Sequence, residues 1–409
     1  MDYVNIPDKT SPSLIHRLSN HVSKNRLKVI TLFACLIVVY SQCFNGLSTY
    51  NARRMQNSSM DTYNMKTTYD DLHIKYNKLP TNASLRAQLS YYFPYDTNSK
   101  IPQSIFQTWK SKPGDSNFPM DFLGTVSSWE KNEGYAHTIF TDNVLDDWVH
   151  TEFSNVPDLV RAWDLLPKII LKADFFRYLV IYARGGIYSD MDTFCLKNIH
   201  DWAPFNERYT KGEQIGFVIG IEADPDRPDW AEWYARRIQF AQWTIMGKRG
   251  HPFLRELISR IVEETLRKEH MGYIKHVEGK DSGSDIMQWT GPGIYTDTMF
   301  DYLNNILSDG DYGSGFGIGS KYWNDGEKYK LKHQEVNKEG LPLHFKDMVV
   351  NYKAFTGLRE PKVIDDVMVL PITSFSPGVG QMGSRSPRDP MAFVQHIFHG
   401  SWKDDKKKD

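Results

Sequence analysis

The sequence LPKIILKADFFRYLVIYARGGIYSDMD, from Leu166 to Asp192, organises the rest of the chain. Its first part has the spacing of a helix, because large apolar side chains recur at steps of three and four residues. Pro167 suits a first helical turn, and Gly185-Gly186 predicts the end of the helix. A short apolar strand, Ile187-Tyr188, follows the two glycines.

Two carboxylates, Asp190 and Asp192, come directly after this strand. Strand residues two apart point the same way. The chain curls where a strand ends. Two acidic residues that are separated by a single residue can therefore turn their carboxylates toward the same divalent cation. Oxygen ligands of this kind suit Mg²⁺ and Mn²⁺, which keep coordination positions open for substrate phosphates. The pattern predicts a metal site, whereas an Asp-x-Asp pair on its own would more often mark a solvated turn.

The helix before the glycines carries Asp174 and Arg177, which are three residues apart and share one face. Arg177 is suited to meeting a phosphate, and Asp174 to accepting hydrogen bonds from sugar hydroxyls. Taken alone, such a pair is more often a surface ion pair that contributes little stability. The order of the whole string favours a site: acid and arginine on a helix, then Gly-Gly, an aromatic residue and Asp-x-Asp.

Strands and helices alternate on both sides of this stretch, which favours an α/β fold with a largely parallel sheet. Sites in such sheets lie at the carboxyl ends of strands. The predicted strands are Ser104–Trp109, Tyr135–Phe140, Gly216–Glu222 and Val367–Leu370. The predicted helices are Asp142–Thr151, Trp230–Met246, Pro252–Lys268, one that contains Trp129 and one that begins near Ile294, and the predicted loops are Ser308–Lys332 and Ser374–Asp389.

Four more polar side chains are candidates for the site. Glu222 and Asp224 follow a predicted strand, and they either assist the reacting centre or lie in a solvated loop. A cation held by two carboxylates and a diphosphate still needs ligands, and a neutral imidazole is suitable for Mn²⁺. His396 and His399 could each supply it, and their spacing does not decide between them.

The bulk composition is that of an ordinary globular protein with room for one large domain or two smaller ones. The chain has 409 residues, of which 40% are hydrophobic and 24% charged. Its formal net charge of −1 does not indicate a nucleic-acid partner. Cys195 is the one cysteine outside the apolar N-terminal run, so the predicted body holds no internal disulfide.

The N-terminal part predicts a membrane anchor. Residues 1–28 form a polar tail with basic residues, and no charge falls between Lys28 and Arg53. Residues 29–47 are apolar and approach the length that crosses a bilayer. Basic residues before the run place the N-terminus in the cytosol and the body in the lumen. A cleaved signal peptide is the alternative, but the long polar lead and the poor cleavage context argue against it.

Residues 48–90 are polar and are predicted to form a stem between anchor and body. Asn57-Ser58-Ser59 and Asn82-Ala83-Ser84 match the pattern for N-glycosylation on the luminal side. We expect the folded body to occupy residues 91–403 and a charged tail to occupy residues 404–409.

The string around the Asp pair resembles the glycosyltransferases that carry a DXD motif within a sugar-binding region. It is most similar to the fungal Golgi α-1,6-mannosyltransferases of glycosyltransferase family 32, which include the enzyme that starts the outer chain of N-glycans. The resemblance covers Tyr91 to Lys403, and three further blocks agree in the family's order: Ile101–Trp109, Trp289–Gly293 and His396–Trp402.

This resemblance implies a single GT-A-like domain that binds a nucleotide sugar, preceded by one transmembrane helix and a stem. It implies Mn²⁺ or Mg²⁺ as the cofactor and GDP-mannose as the donor. Trp289–Gly293 would help build the acceptor side. The implied catalytic residues are Asp190, Asp192, Asp174 and Arg177; the implied donor-binding residues are Gln107, Trp109, Asp174, Arg177 and Tyr188; and the implied metal ligands are Asp190, Asp192 and His396, with His399 as the alternative to His396.

The function that follows from the resemblance is mannosyl transfer from GDP-mannose to a mannose of an N-linked glycan. The new bond would be α-1,6, formed with retention, and the enzyme would be a type II protein of the Golgi membrane with a luminal catalytic domain. A hetero-oligomeric mannosyltransferase complex is an expected partner. Three alternatives stay open: a metal-dependent hydrolase, a non-catalytic subunit of a mannan polymerase complex, and a transferase for another sugar nucleotide.

Overall fold

A seven-stranded sheet lies at the centre of the described part of the chain. The computed structural model describes residue 79 and residues 82–274, 282–303 and 350–399. The strands are β1 (Ser104–Trp109), β2 (Ala136–Thr141), β3 (Gly186–Ser189), β4 (Thr193–Cys195), β5 (Phe217–Ala223), β6 (Gln239–Gly247), β7 (Lys362–Ile364), β8 (Val367–Leu370) and β9 (Val394–His396).

The α-helices are α1 (Leu85–Tyr92), α2 (Leu123–Glu130), α3 (Asp142–Glu152), α4 (Pro157–Leu165), α5 (Ile169–Arg184), α6 (Glu207–Thr210), α7 (Pro252–His270), α8 (Ser282–Trp289), α9 (Pro292–Leu303) and α10 (Ile372–Phe375). Short 3-10 turns occur at Met120–Phe122, Ile199–Asp201, Ala203–Phe205, Trp230–Glu232 and Tyr352–Ala354.

The strand order in the main sheet is β2-β1-β3-β6-β5-β8-β7. β1 pairs in parallel with β2 and β3, and β5 pairs in parallel with β8. β6 is antiparallel to β3 and to β5, and β7 is antiparallel to β8. β1, β2, β3, β5 and β8 therefore share one direction. The sheet is mixed but mostly parallel, which confirms the prediction of an α/β fold with a largely parallel sheet.

The predicted helix at Trp230–Met246 is wrong. Trp230–Glu232 forms a 3-10 turn, and Gln239–Gly247 is strand β6 between β3 and β5. Every β6 residue except Gln242 is buried. A segment buried on both faces has no polar side to reveal its period, so helix and strand give the same apolar run.

The stretch that was expected to organise the fold does so with one correction. Helix α5 begins at Ile169 after the N-cap Lys168, so Pro167 lies between α4 and α5 and not in the first turn of α5. The helix ends at Gly185, whose φ is +68°, and Gly186 follows with a φ of +110°. A Cβ atom on Gly186 would lie 2.6 Å from the carbonyl oxygen of Ser104, so this glycine lets β3 approach β1.

We expect Gly186→Ala to lower the free energy of unfolding by at least about 3 kcal/mol, as measured by urea denaturation. The positive φ accounts for about 1–2 kcal/mol, and the contact with the β1 backbone adds to it. Gly212→Ala is the matched control, because Gly212 has a φ of +83° with no atom within 4 Å of the added Cβ. If both variants lose the same free energy of unfolding, the close approach of β3 to β1 at Gly186 does not contribute to stability.

A second, two-stranded sheet connects the end of the described chain to the Asp pair. β4 and β9 are antiparallel, and Thr193 pairs with His396. The backbone amide of Ile397 also donates to the carbonyl of Asp192 over 2.9 Å. This pairing carries a histidine from a distant part of the sequence to the carboxyl end of β3.

Helix α1 begins within the segment predicted as stem, and it is packed into the body. The Ser84 hydroxyl caps it by accepting from the amide of Ala87 over 3.2 Å. The guanidinium of Arg86 is buried against Glu256 and Glu263 of α7, at 2.6 Å from each. The packed part of the chain therefore includes residues before position 91.

Several predictions from the sequence fall on residues outside the described ranges. They are the tail at 1–28, the anchor at 29–47, most of the stem with Asn57, the loop at Ser308–Lys332, Trp402 and the tail at 404–409. Within the described ranges, no helix is both long enough and apolar enough to span a bilayer.

Candidate active site

The Asp pair lies in a turn at the carboxyl end of β3, and neighbouring strands fix its backbone. The amide of Asp190 donates to the carbonyl of Trp243 on β6 over 2.8 Å. The carbonyl of Asp190 accepts from Gln107 Nε2 on β1 over 3.1 Å and from the Thr193 hydroxyl over 2.5 Å. Hydrogen bonds from three strands thus hold the turn at the edge where parallel sheets carry their sites.

Asp190, Asp192 and His396 form a group that could hold a metal ion, since one ligand atom from each lies within 4.8 Å of the others. His396 Nε2 is 3.1 Å from Asp192 Oδ1. Its Nδ1 is buried, and within the described residues it has no hydrogen-bond partner. The imidazole stacks on the indole of Trp243 with ring centroids 4.6 Å apart. Two carboxylates and one imidazole, whose Nδ1 has no partner among the described residues, fit Mn²⁺ or Mg²⁺.

His399 meets the same carboxylate in a different way. Its backbone amide donates to Asp192 Oδ2 over 3.0 Å, while its ring packs edge-on against Phe122 with centroids 5.0 Å apart. The geometry therefore favours His396 as the imidazole ligand, with His399 orienting Asp192 through its backbone.

Arg177 joins two carboxylates beneath the turn. Its Nη2 lies 3.0 Å from Asp174 Oδ1 and 3.2 Å from Asp190 Oδ1. The exposed fraction is 4% for Arg177 and 2% for Asp174. Such burial favours a role in holding Asp190 in place over direct contact with a phosphate. Arg177 Nε is buried without a hydrogen-bond partner in the described structure.

The remaining bonds of Asp174 also point inward. Its Oδ1 accepts from Gln242 Nε2 over 3.2 Å, and its Oδ2 accepts from the Thr290 hydroxyl over 3.3 Å. Thr290 belongs to the block that was expected on the acceptor side. Burial raises the pKa of Asp174 to about 6, although Arg177 opposes the rise. Helix α5, strand β6 and the turn before α9 thus share one buried polar network behind the Asp pair.

Tyr188 and Gln107, both predicted to bind the donor, are fully buried and contact the turn. The Tyr188 hydroxyl donates to Asp190 Oδ1 over 2.8 Å. Burial lowers the pKa of His137 to about 4, so its ring is neutral and its Nε2 donates to Gln107 Oε1 over 2.9 Å. This bond orients the Gln107 amide toward the carbonyl of Asp190. Trp109 is half-buried at the end of β1.

The two acids of the pair differ in their electrostatics. Burial raises the pKa of Asp190, although the charge of Arg177 opposes the rise. Burial also acts on Asp192, but the hydrogen bond and charge of His396 and the amide of His399 outweigh it and lower its pKa. Asp192 is therefore an anion at neutral pH.

Sequence reasoning missed Gln242 and Trp243, which position Asp174, Asp190 and His396. Both lie on β6, in the segment that was predicted as a helix. The available signal for a strand was the composition of this run. It is rich in aromatic and β-branched residues, includes a tryptophan and ends at a glycine.

Comparison with known proteins agrees with this geometry. Residues 119–209, which include the Asp pair, match the family described as the glycosyltransferase sugar-binding region containing a DXD motif. The initiation-specific alpha-1,6-mannosyltransferase of Candida albicans is 43% identical to the chain, over 96% of the chain and 97% of that protein. The chain belongs to this family. Its member from Saccharomyces cerevisiae is 39% identical, over 80% of the chain and 83% of that protein.

Membership in the initiation-specific alpha-1,6-mannosyltransferase family confirms the predicted resemblance and the prediction that the chain is an enzyme. Among solved structures, the PaToxG glycosyltransferase shares 17% identity and a TM-score of 0.32, over 59% of this chain and 80% of that one.

The two histidines can be separated by experiment. We expect His396→Ala to weaken Mn²⁺ binding at least tenfold, because the imidazole that the geometry favours as a ligand is removed. His399→Ala should change it less than threefold, because its backbone amide remains. Electron paramagnetic resonance of free Mn²⁺ measures both affinities, with the wild-type chain as reference. The reverse order would assign the ligand to His399.

Proposed function

We propose that the chain transfers mannose from GDP-mannose to a mannose hydroxyl of an N-linked glycan. The new bond is α-1,6 and forms with retention, and the reaction depends on a divalent cation. The observation that carries this proposal is the convergence of Asp190, Asp192 and His396 at the carboxyl end of β3. The family of the chain supplies the sugar and the linkage, since its relatives are named for alpha-1,6-mannosyl transfer.

The chemistry follows from charge. Asp190, Asp192 and His396 would hold the Mn²⁺ or Mg²⁺, which supplies a Lewis acid for the charge that builds on the departing diphosphate. As the bond between the anomeric carbon and the phosphate oxygen breaks, its electron pair goes to the diphosphate. The acceptor oxygen bonds to the same face of the sugar, and its proton passes to the departing diphosphate.

Buried residues around Asp190 preorganise the site for the substrates. Arg177 and Tyr188 both contact Asp190 Oδ1, and Gln107 holds the carbonyl of the same residue. These bonds restrict the Asp190 side chain, so little reorganisation is needed when the diphosphate departs. Trp109, half-buried at the end of β1, remains our candidate for contact with the nucleotide.

We place the enzyme in the Golgi membrane as a type II protein, with residues 29–47 as the anchor and the catalytic body in the lumen. The apolar run and the basic residues before it support this topology. A mannosyltransferase complex is the proposed partner. The second candidate is an auxiliary subunit of a mannan polymerase, but a complete set of two carboxylates and an imidazole favours catalysis.

The test uses the full-length chain in detergent with a mannose-terminated N-glycan, Mn²⁺ and a panel of sugar nucleotides. We expect a gain of one hexose by mass spectrometry with GDP-mannose, its loss with a chelator, and an α-1,6 linkage by nuclear magnetic resonance. Transfer from another donor would reassign the sugar. Donor hydrolysis with intact acceptor would favour a hydrolase, and no reaction would favour the auxiliary subunit.

A further inference from the structure

Glu222 lies in a bulge of strand β5. Ile221 pairs with Phe240 of β6, and the next pair is Ala223 with Gln239, so β5 has one residue more than β6 between these pairs. That extra residue is Glu222. Bulges bend a strand and re-aim a side chain, and they are frequent beside active sites. The bulge therefore sets Glu222 apart from the regular alternation of its strand.

The position of the bulge in the sheet brings Glu222 to the edge that carries the Asp pair. β5 runs in the same direction as β3, and β6 lies between them. Glu222 is the second-last residue of β5, so it lies at the carboxyl end, as Asp190 does for β3. The charges of His396 and Arg177 oppose the rise in the pKa of the Glu222 carboxyl, as expected for a group at the same edge of the sheet.

The polar surroundings of Glu222 within the described residues leave its charge without a counter-ion. Gln239 Oε1 accepts from the amide of Ala235 over 3.0 Å, and the neutral Gln239 side chain is the polar neighbour that most opposes the rise in the pKa of the Glu222 carboxyl. Within the described residues, no basic group lies within ion-pair distance of Glu222, whereas Asp174, Asp190 and Asp192 each have one. Burial raises the pKa of Glu222 to about 7. A partly buried carboxyl without a cationic partner is costly, which suggests that the reaction supplies the cation.

Asp224, the other acid at this strand end, has a structural role instead. Its Oδ1 accepts from Arg237 over 3.1 Å, and its Oδ2 accepts from the amide of Gly357 over 2.6 Å. Both oxygens therefore hold neighbouring segments together. Of the two acids that the sequence singled out here, Glu222 is the one whose charge is not already paired.

We propose that Glu222 is a catalytic residue whose ionised carboxylate lies against the donor sugar and stabilises the positive charge that develops at its anomeric carbon. This proposal rests on the proposed function, and it identifies the group at the reacting centre. As the bond to the diphosphate breaks, the sugar gains oxocarbenium character. The positive charge favours the ionised form of the carboxyl. Glu222 forms no bond and exchanges no proton, because the acceptor proton leaves with the diphosphate.

The test compares Glu222→Gln with Asp226→Asn in the full-length chain, with GDP-mannose, Mn²⁺ and the N-glycan acceptor. Glu222→Gln keeps the shape and removes the charge, so we expect kcat to fall about 10²- to 10³-fold while the donor KM and the Mn²⁺ affinity stay within about threefold. Asp226 is an exposed acid just beyond β5, and its variant should keep kcat within about twofold.

Two further variants separate catalysis from structure. Glu222→Asp keeps the charge but has a shorter side chain, so the carboxylate lies farther from the sugar. We expect at least about a tenfold loss of kcat. Glu222→Ala should regain part of its activity when formate is added, because a small carboxylate can occupy the space, whereas the wild-type enzyme should not respond. A structural role would give neither a formate response nor an unchanged donor KM.

The outcomes separate this proposal from the one on which it rests. Transfer by the wild-type chain together with a Glu222→Gln kcat within threefold of it would overturn the role of Glu222 alone. An increase in the donor KM of Glu222→Gln with little change in kcat, together with no rescue of Glu222→Ala by formate, would also overturn the role of Glu222. If the wild-type chain transfers no sugar from any donor, the proposed function fails and the catalytic role of Glu222 fails with it.

Discussion

We expect Asp192→Asn to lower mannosyl transfer by about 10³-fold or more and to leave the fold intact. A bound cation contributes several kcal/mol to the departure of a diphosphate, and each 1.36 kcal/mol corresponds to tenfold in rate. The variant keeps the size of the side chain but loses the charge that His396 and the His399 amide stabilise. Mass spectrometry of the glycan measures the transfer, and titration with Mn²⁺ measures the loss of affinity.

Asp190→Asn provides the comparison for this result. Asp190 contacts the buried guanidinium of Arg177, so its variant should lose stability as well as activity. Asp192 has His396 and a backbone amide as its partners, so its variant should melt within a few degrees of the wild-type chain. Full transfer by Asp192→Asn in the presence of a chelator would rule out the metal site.

The largest loss of stability is expected for Arg86→Met. The buried guanidinium lies 2.6 Å from Glu256 and 2.6 Å from Glu263. Its removal breaks the ion pair of Glu263 and leaves Glu256 with Arg260 as its cation. Breaking a buried ion pair by removing one partner costs about 3–5 kcal/mol. Urea denaturation measures the change in the free energy of unfolding.

The control for Arg86→Met is Arg161→Met. Arg161 forms an ion pair of 2.8 Å with Glu269, but its side chain is 60% exposed, so the variant should lose at most about 1 kcal/mol. If both variants lose the same stability, burial of the Arg86 network does not matter.

The stability of the protein at acidic pH should also depend on the buried ion pairs of Arg86 and Arg260 with Glu256. Burial raises the pKa of Glu256, but Arg86 and Arg260 outweigh it and lower the pKa from 4.5 to about 2. A carboxyl with a lowered pKa in the folded state contributes stability that is present above 4.5 and is lost as the pH falls toward 2. In Arg86→Met this contribution shrinks, so stability should depend less on pH across that interval.

Strands β1 and β8 could be predicted from the sequence. Strand β6, which lies between them in the sheet, could not. Ser104–Trp109 and Val367–Leu370 have the bounds that the sequence predicted, because turn residues delimit each apolar run. β6 is buried on both faces, so no periodicity separated it from a helix. The bulge at Glu222 was also hidden, because it depends on the pairing of β5 with β6.

The site itself was predicted in part, for a comparable reason. Asp190 and Asp192 are neighbours in sequence, so their convergence is local. His396 reaches them through the pairing of β4 with β9, which spacing alone could not indicate; the family resemblance did. The burial of Arg177 and the packing of Arg86 depend on distant elements, and neither has a signature in the residues around it.

The pairing of β4 with β9 has a consequence for the order in which the protein is made. Asp192 and His396 are 204 positions apart, so a ribosome can complete every strand of the main sheet before it reaches the histidine. A nascent or prematurely ended chain that stops before β9 carries the two acids without their imidazole. Such fragments should be enzymatically silent, and sugar transfer should begin only after translation has passed residue 396 and the last strand has docked.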